Sequence, residues 1–133
     1  MRRCAARSCP DTNVALRLRD GDPSTMAHVA ALDGATLISI VTRVELEGGV
    51  VRQPGRASVR RLRLDVMLDS LAVISFDDAC ADAYRSIAEV AGYSRRKILD
   101  RMIAAQALVH RATLVTSDPE DFRDVPGLSL LIW

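Results

Sequence analysis

The sequence predicts an α/β fold in which a mainly parallel sheet is covered by helices on both faces. Short runs rich in Val, Ile, Leu and Thr alternate along the chain with longer stretches whose apolar residues have helical spacing. Such alternation favours parallel strands, because each helix returns the chain to the same end of the sheet. We also predict one domain over residues 1–133, since the chain has no Pro/Gly/Ser-rich linker that would divide a core.

The individual elements follow from local composition. Four apolar, β-branched runs predict buried strands: Thr36–Val41, Ala72–Ser75, Thr113–Thr116 and Leu128–Ile132. Helical periodicity, or a run ending at glycine, predicts these helices: Ser24–Leu32, Thr42–Val50, Ala57–Ser70, Asp77–Ala91 and Lys97–His110.

The composition excludes several classes of protein. The 18 Lys and Arg residues nearly balance 17 Asp and Glu residues, so we expect no general electrostatic grip on nucleic acid, although a local basic face is possible. No apolar run is long enough for a membrane span and no secretory signal is recognisable, so neither a membrane nor a secreted protein is expected. Three cysteines without metal-site spacing fit a reducing cytoplasm.

All basic residues but one are arginines, and Lys97 is the exception. Arginine suits phosphate recognition, but a GC-rich genome would give the same bias, and both interpretations remain open. Five arginines are candidates for RNA contacts: Arg43, Arg52, Arg56, Arg95 and Arg96.

Four carboxylates lie where predicted strands end or helices begin. Asp11 opens the run Asp-Thr-Asn, Glu45 lies in the first turn of a predicted helix, Asp100 lies near the start of another, and Asp118 follows the strand Thr113–Thr116. Open α/β sheets bind ligands at the carboxyl ends of their strands. Clustered carboxylates repel each other unless they take up protons or bind a cation, and Mg²⁺ and Mn²⁺ prefer oxygen ligands. Without a Cys or His cluster, this pattern predicts metal-assisted phosphodiester hydrolysis.

Each of the four acids also has an ordinary structural explanation. Glu45 could close a helix capping box with Thr42, and Asp11 and Asp118 could each cap a helix N-terminus. Asp100 could pair with a neighbouring cation: Lys97, Arg96 or Arg101.

The ordered set of acidic motifs resembles that of PIN-domain ribonucleases. Length and spacing are most similar to the VapC toxins of bacterial toxin–antitoxin modules, and the similarity spans residues 11–133. It is carried by four segments: Asp11-Thr12-Asn13, Ile38–Glu45, Asp100–Ala105 and Leu114–Phe122.

The resemblance implies a PIN-like, three-layer fold and endonucleolytic cleavage of RNA with one or two Mg²⁺ or Mn²⁺ ions. It implies that Asp11 and Asp100 are direct metal ligands and that Glu45 and Asp118 complete the pocket. It further implies a homodimer in the cytoplasm that is inhibited by a VapB-type antitoxin, whose C-terminal segment covers the site.

The resemblance also implies supporting roles for three side chains near the acids. Thr116 would fix the pocket and Asn13 would brace Asp11 by hydrogen bonding. Asp121 is close enough to contribute, but we expect it mainly to cap or position the turn at Phe122.

Residues 1–10 depart from the family pattern. In the family an apolar central strand precedes the first Asp, whereas this segment contains three arginines, no β-branched or large aliphatic residue after Met1, and Pro10. Proline removes a ladder hydrogen bond and buried unpaired arginines are costly. The segment therefore predicts an atypical N-terminus before Asp11.

Two alternative functions remain open on sequence. The first is a catalytically impaired PIN-fold relative that binds an antitoxin without cleaving RNA, as an atypical first strand would produce. The second is a phosphoacceptor domain of the response-regulator type, which would require a lysine after a late strand, whereas Lys97 precedes Asp100 in a predicted helix.

Overall fold

A computed structural model describes residues 6–133. Its sheet has five strands in the order β3-β2-β1-β4-β5, and all four neighbouring pairs are parallel. The strands are β1 Arg7–Pro10, β2 Ala35–Ser39, β3 Ala72–Ile74, β4 Thr113–Thr116 and β5 Leu130–Ile132. The helices are α1 Thr12–Arg19, α2 Pro23–Ala30, α3 Ile40–Arg52, α4 Ala57–Ser70, α5 Asp78–Ala91 and α6 Ile98–Val109. Short 3-10 helices lie at Pro54–Arg56 and Pro119–Phe122.

Despite its atypical composition, the segment Arg7–Pro10 forms the central strand β1 between β2 and β4. Arg7 is exposed and donates to the carbonyl of His110, while the small residues Ser8 and Cys9 fill the buried positions. Pro10 aligns with Val115 of β4, and the ladder continues because the next residue donates to the carbonyl of Val115. The prediction of an atypical N-terminus also concerns residues 1–5, which lie outside the described residues.

Two apolar clusters cover the two faces of the sheet, as an α/β fold requires. Leu37 and Ile38 are neighbours in β2 and therefore point to opposite faces. Leu37 packs in a cluster with Ile87 of α5 and Ile103 of α6. Ile38 packs in the other cluster, whose helical members come from α1, α3 and α4: Ala15, Leu46, Val50, Leu64 and Met67. The chain thus folds as three layers with the sheet in the middle, which confirms the predicted fold class.

Helix capping differs from the sequence prediction at one functionally important place. The strand predicted to reach Val41 ends at Ser39, whose hydroxyl accepts from the backbone N–H of Val41 and caps α3. Glu45 therefore lies in the second turn of α3, and the proposed capping box between Thr42 and Glu45 is wrong because Thr42 is already inside the helix. None of the helices formed by residues 6–133 combines the length and apolar content that a membrane span requires.

Candidate active site

An acidic cleft of about 230 Å³ opens at the carboxyl ends of the strands. Three of the four predicted carboxylates line it, namely Asp11, Glu45 and Asp100, and Asp121 is a fourth acidic member. The cleft is completed by Thr12, Asn13, Leu16, Arg96 and Leu99. Residues that are far apart in the sequence therefore meet where β1 and β2 end and where α6 begins.

Asp11 is the most buried acid of the cleft, with 4% of its surface exposed. One carboxylate oxygen accepts from the backbone N–H of Val14 at 2.9 Å and so caps α1, as the ordinary explanation predicted. The other accepts from the hydroxyl of Thr116 at 2.6 Å. Burial raises the pKa of Asp11, the two hydrogen bonds oppose that rise, and the charge of Asp118 adds to it.

Asp100 lies in the first turn of α6, where the macrodipole favours a negative charge. Partial burial raises its pKa to about 6, and the neighbouring charges of Asp121, Asp11 and Glu45 add to the rise. None of the three cations that the sequence offered to Asp100 forms an ion pair with it: Lys97 and Arg101 both bind Asp124, and Arg96 has no carboxylate within ion-pair distance in residues 6–133. The ordinary explanation of Asp100 as a helix-surface ion pair is therefore wrong.

Glu45 is held by Thr12, a residue for which no supporting role was predicted. The hydroxyl of Thr12 donates to Oε1 of Glu45 at 2.9 Å and lies 3.0 Å from the hydroxyl of Thr42, which is fully buried in α3. Thr12 immediately follows Asp11, so one dipeptide contacts two walls of the cleft. Only the tertiary packing of α1 against α3 reveals this role, because Thr12 and Thr42 are 30 residues apart.

Asp118 is exposed and, unlike the other three predicted carboxylates, does not line the cleft. It occupies the N-cap position of the 3-10 helix Pro119–Phe122, but its side chain makes no cap hydrogen bond. Instead its Oδ2 accepts from the amide of Asn13 at 3.3 Å, so the expectation that Asn13 braces Asp11 is wrong. A second link between the same segments runs from Arg17 of α1 to the hydroxyl of Ser117.

Thr116 connects two of the acidic positions. Its hydroxyl donates to Asp11 and accepts from the backbone N–H of Asp118 at 2.9 Å. The five arginines considered for RNA contacts are all exposed, and Arg96 is the one that lines the cleft.

The donor set of the cleft suits a hard divalent cation. The acidic side chains offer only oxygen atoms. Burial, to which repulsion between neighbouring acids adds, raises the pKa of Asp11 and Asp100, and a bound cation offsets both effects. In their present conformations, no three Asp, Glu, His or Cys side chains of the described residues lie close enough together to bind one ion. The cleft therefore has the chemistry of a Mg²⁺ or Mn²⁺ site without a closed coordination sphere.

Comparison with known proteins identifies the family. The model of the PIN domain matches residues 8–128, so the chain belongs to the PIN-domain family. Ribonuclease VapC2 of Rickettsia felis is 28% identical over 131 residues, which cover 92% of this chain and 95% of that protein. The predicted VapC-type resemblance is thereby confirmed, and the response-regulator alternative is wrong.

Solved structures support the same assignment. VapBC2 from Rickettsia felis, bound to a DNA fragment from its promoter, contains a chain that superposes with a TM-score of 0.82 at 26% identity, covering 96% of this chain and 98% of that one. FitAcB from Neisseria gonorrhoeae gives a TM-score of 0.79 at 24% identity, with 93% and 96% of the two chains covered. DNA-bound VapBC from Salmonella typhimurium gives 0.80 at 21% identity, with 96% and 98% covered. The last two structures are less than 25% identical to this chain, and they therefore show that the fold is shared and nothing further.

Proposed function

We propose that this protein is a metal-dependent endoribonuclease that acts as the toxin of a VapBC-type toxin–antitoxin module. The convergence of Asp11, Glu45, Asp100 and Asp121 on one cleft at the carboxyl edge of a PIN-domain sheet is the observation that carries the proposal. The relative named ribonuclease VapC2 supports RNA as the substrate.

Asp11 and Asp100 are the proposed direct metal ligands because burial in the cleft raises the pKa of both carboxyls, and a bound cation would offset that rise. Glu45, held by Thr12, and Asp118, held by Asn13, would complete the acidic site. Thr116 would keep Asp11 charged and oriented because its hydroxyl donates a hydrogen bond to Oδ2.

A bound Mg²⁺ or Mn²⁺ would lower the pKa of a coordinated water and would stabilise the charge that develops on the phosphate. The protein itself supplies the orientation of the carboxylates, through the fixed hydrogen bonds to Asp11 and Glu45. Arg96 at the edge of the cleft provides a positive charge for an RNA phosphate.

The decisive experiment measures cleavage of RNA by the purified protein with Mg²⁺ or Mn²⁺ and with EDTA. We expect Asp100→Asn to reduce cleavage by at least about a hundredfold, as loss of a group that stabilises transition-state charge typically does. Asp82→Asn is the matched control, because Asp82 is an exposed acid on α5 that does not line the cleft. Equal activity of all three proteins, or activity in EDTA, would contradict the proposal.

The impaired-relative alternative drew its support from the poor first strand. That strand is in place in the structure, with Pro10 paired to β4 directly before Asp11. Absence of both cleavage and Mn²⁺ binding in the unaltered protein, with antitoxin binding retained, is the result that would restore the alternative.

An antitoxin partner is proposed because the similar solved structures are VapBC complexes. A groove of about 600 Å³ between α1, α2 and α4 offers such a partner an apolar surface. It is lined largely by aliphatic and thioether side chains, among them Leu18, Met26, Val29, Leu62, Val66 and Leu71. Co-expression with the product of a neighbouring small gene tests this: Leu62→Asp should weaken the complex while leaving the isolated fold intact, because Leu62 is 66% exposed.

A homodimer is also proposed. Helix α3 exposes Val44 (65%) and Val51 (73%), which are seven residues apart and so lie on one helical face. Light scattering should give the mass of a dimer for the unaltered protein and of a monomer for Val44→Asp.

A further inference from the structure

Asp124 lies outside the acidic cleft, in the segment that follows the 3-10 helix Pro119–Phe122, and it binds two cations of the α6 N-terminus at once. Its Oδ2 accepts from Arg101 at 2.8 Å and from Lys97 at 3.3 Å. Phe122 and Val125, which flank it, are 2% and 7% exposed, so the backbone that carries Asp124 is anchored in the core. The ion-pair geometry is therefore set by tertiary packing.

Arg101 is the fixed member of this group. It is 2% exposed, and its guanidinium also donates to the carbonyl of Gly92 at 2.6 Å, at the end of α5. A buried guanidinium needs a counter-charge, and Asp124 supplies it. Asp124 cannot leave Arg101 without a large cost in stability, so it also remains beside Lys97.

Lys97 is the cation whose position matters for the cleft. It precedes Asp100 by three residues at the start of α6, a spacing at which helical side chains can meet. Asp100 faces the charges of Asp121, Asp11 and Glu45, which raise its pKa, and the charge of Lys97 acts on it in the opposite sense. The ion pair of the Lys97 ammonium is nevertheless with Asp124, 3.3 Å from Oδ2, and Asp124 does not line the cleft.

We propose that Asp124 is a positioning residue that holds Lys97 away from Asp100 and so keeps the acidic cleft free for a divalent cation. This inference rests on the proposed function of the cleft. An ammonium bound to Asp100 would occupy a carboxylate that the metal needs and would reduce the negative charge of the site. By accepting Lys97, Asp124 prevents this internal competition.

The first test uses the metal-free protein and is independent of nuclease activity. Because Lys97 is the only lysine, reductive methylation with ¹³C gives one side-chain NMR signal that can be distinguished from that of the terminal amine. We expect Asp124→Asn to shift this signal and Asp100→Asn to leave it nearly unchanged. A larger shift with Asp100→Asn would show that Lys97 already binds the cleft and would overturn the proposal.

The second test measures Mn²⁺ affinity by calorimetry in a double-mutant cycle. Asp124→Asn should weaken Mn²⁺ binding about fivefold, the factor that corresponds to a partly exposed ion pair. Lys97→Met alone should change the affinity less than about twofold, and the double variant should return to the affinity of the unaltered protein. Rescue by Lys97→Met is the result that a purely structural role for Asp124 does not produce.

The outcomes separate the two proposals. If the unaltered protein neither binds Mn²⁺ nor cleaves RNA, the proposed function fails, whereas the NMR comparison still decides where Lys97 lies. If Asp124→Asn weakens Mn²⁺ binding equally with and without Lys97, the positioning role fails and the proposed function stands. If Asp124→Asn does not fold, the affinity of Lys97→Met for Mn²⁺ decides, because this variant leaves the pair of Arg101 and Asp124 intact. A severalfold higher Mn²⁺ affinity of Lys97→Met than of the unaltered protein would overturn the proposal.

Discussion

Thr116 donates a hydrogen bond of 2.6 Å to Oδ2 of Asp11 across 105 residues of sequence. Thr116 is fully buried and Asp11 is 4% exposed, so neither partner can exchange this contact for one with bulk water. The bond lowers the pKa of Asp11 against the rise that burial causes. It therefore keeps a buried acid in the charged form that a metal ion requires.

Replacing Thr116 by valine should weaken Mn²⁺ binding about tenfold. This is the lower end of the loss in metal affinity that follows when a group that orients a metal ligand is removed. The pKa of Asp11 rises when the hydroxyl is lost, so the deficit should grow as the pH falls. Thr116→Ser keeps the hydroxyl and should bind Mn²⁺ nearly normally. Calorimetric titrations of the two variants between about pH 6 and 8 check this; equal affinities for valine and serine would contradict it.

The metal-free protein should become more stable as the pH falls through the pKa of Asp100, about 6. Its folded-state pKa is raised, so the folded protein binds a proton more tightly than the unfolded chain does, and protonation stabilises the fold. Asp100→Asn should consequently be more stable than the unaltered protein at about pH 7.5 and lose this advantage progressively as the pH falls to about 4. Urea unfolding in EDTA at the two pH values gives the comparison.

Metal ions should reverse this pH effect. A cation that binds the charged form of Asp100 stabilises the folded state increasingly as the pH rises above about 6. Asp82→Asn, at an exposed position of α5, is the control and should follow the unaltered protein with and without Mn²⁺. A stability curve of the unaltered protein that Mn²⁺ does not change would contradict the proposed ligand role of Asp100.

Thr12→Val should reduce RNA cleavage by about tenfold while Thr12→Ser retains most of it, because the hydroxyl positions Glu45. The structure predicts that Thr12→Val has little further effect once Glu45 is replaced by glutamine, since the hydroxyl would then no longer hold a catalytic carboxylate. Single-turnover cleavage rates of the unaltered protein, Thr12→Val, Glu45→Gln and the double variant test this coupling. Additive losses would show that Thr12 acts independently of Glu45.

Two glycine-to-alanine changes should have opposite signs. Gly34 has a φ of +76°, and a Cβ there would lie 1.9 Å from the carbonyl oxygen of Ala6, beside the first hydrogen bond between β1 and β2. Gly34→Ala should destabilise the protein by at least about 2 kcal/mol. Gly48→Ala should stabilise it by about 0.5–1 kcal/mol, because Gly48 is inside α3 and a Cβ there meets no atom within 4 Å.

Unfolding of these glycine variants can be followed by the fluorescence of the only tryptophan. The ring of Trp133 lies 5.0 Å from that of His28 in α2, so unfolding separates the pair. If Gly48→Ala lowered the free energy of unfolding as much as Gly34→Ala, the conformational explanation would be wrong.

Local sequence patterns predicted the elements that have a strong local signal. The helix Ala57–Ser70 and the strand Thr113–Thr116 have the predicted bounds. The strand β1 was missed because Ser8, Cys9 and Pro10 carry no β-propensity signal. Its place in the middle of the sheet is fixed by pairing with β2 and β4, which are distant in sequence.

Three of the four acids predicted from the sequence line the cleft, but Asp118 does not, and the supporting contacts could not be predicted. Asp11, Glu45 and Asp100 follow from strand-to-helix junctions, because parallel strands all end at one edge. The partners of Glu45 and Asp118, and the pairing of Lys97 with Asp124, depend on how helices and loops pack across the fold. A single sequence contains no local signal for such contacts.

The acidic cleft joins Asp11, near the beginning of the chain, to Asp121, near its end, and it depends on Thr116 of β4. A nascent chain that has not yet reached β4 therefore lacks part of this cleft. Products truncated before β4 should not carry the proposed nuclease activity.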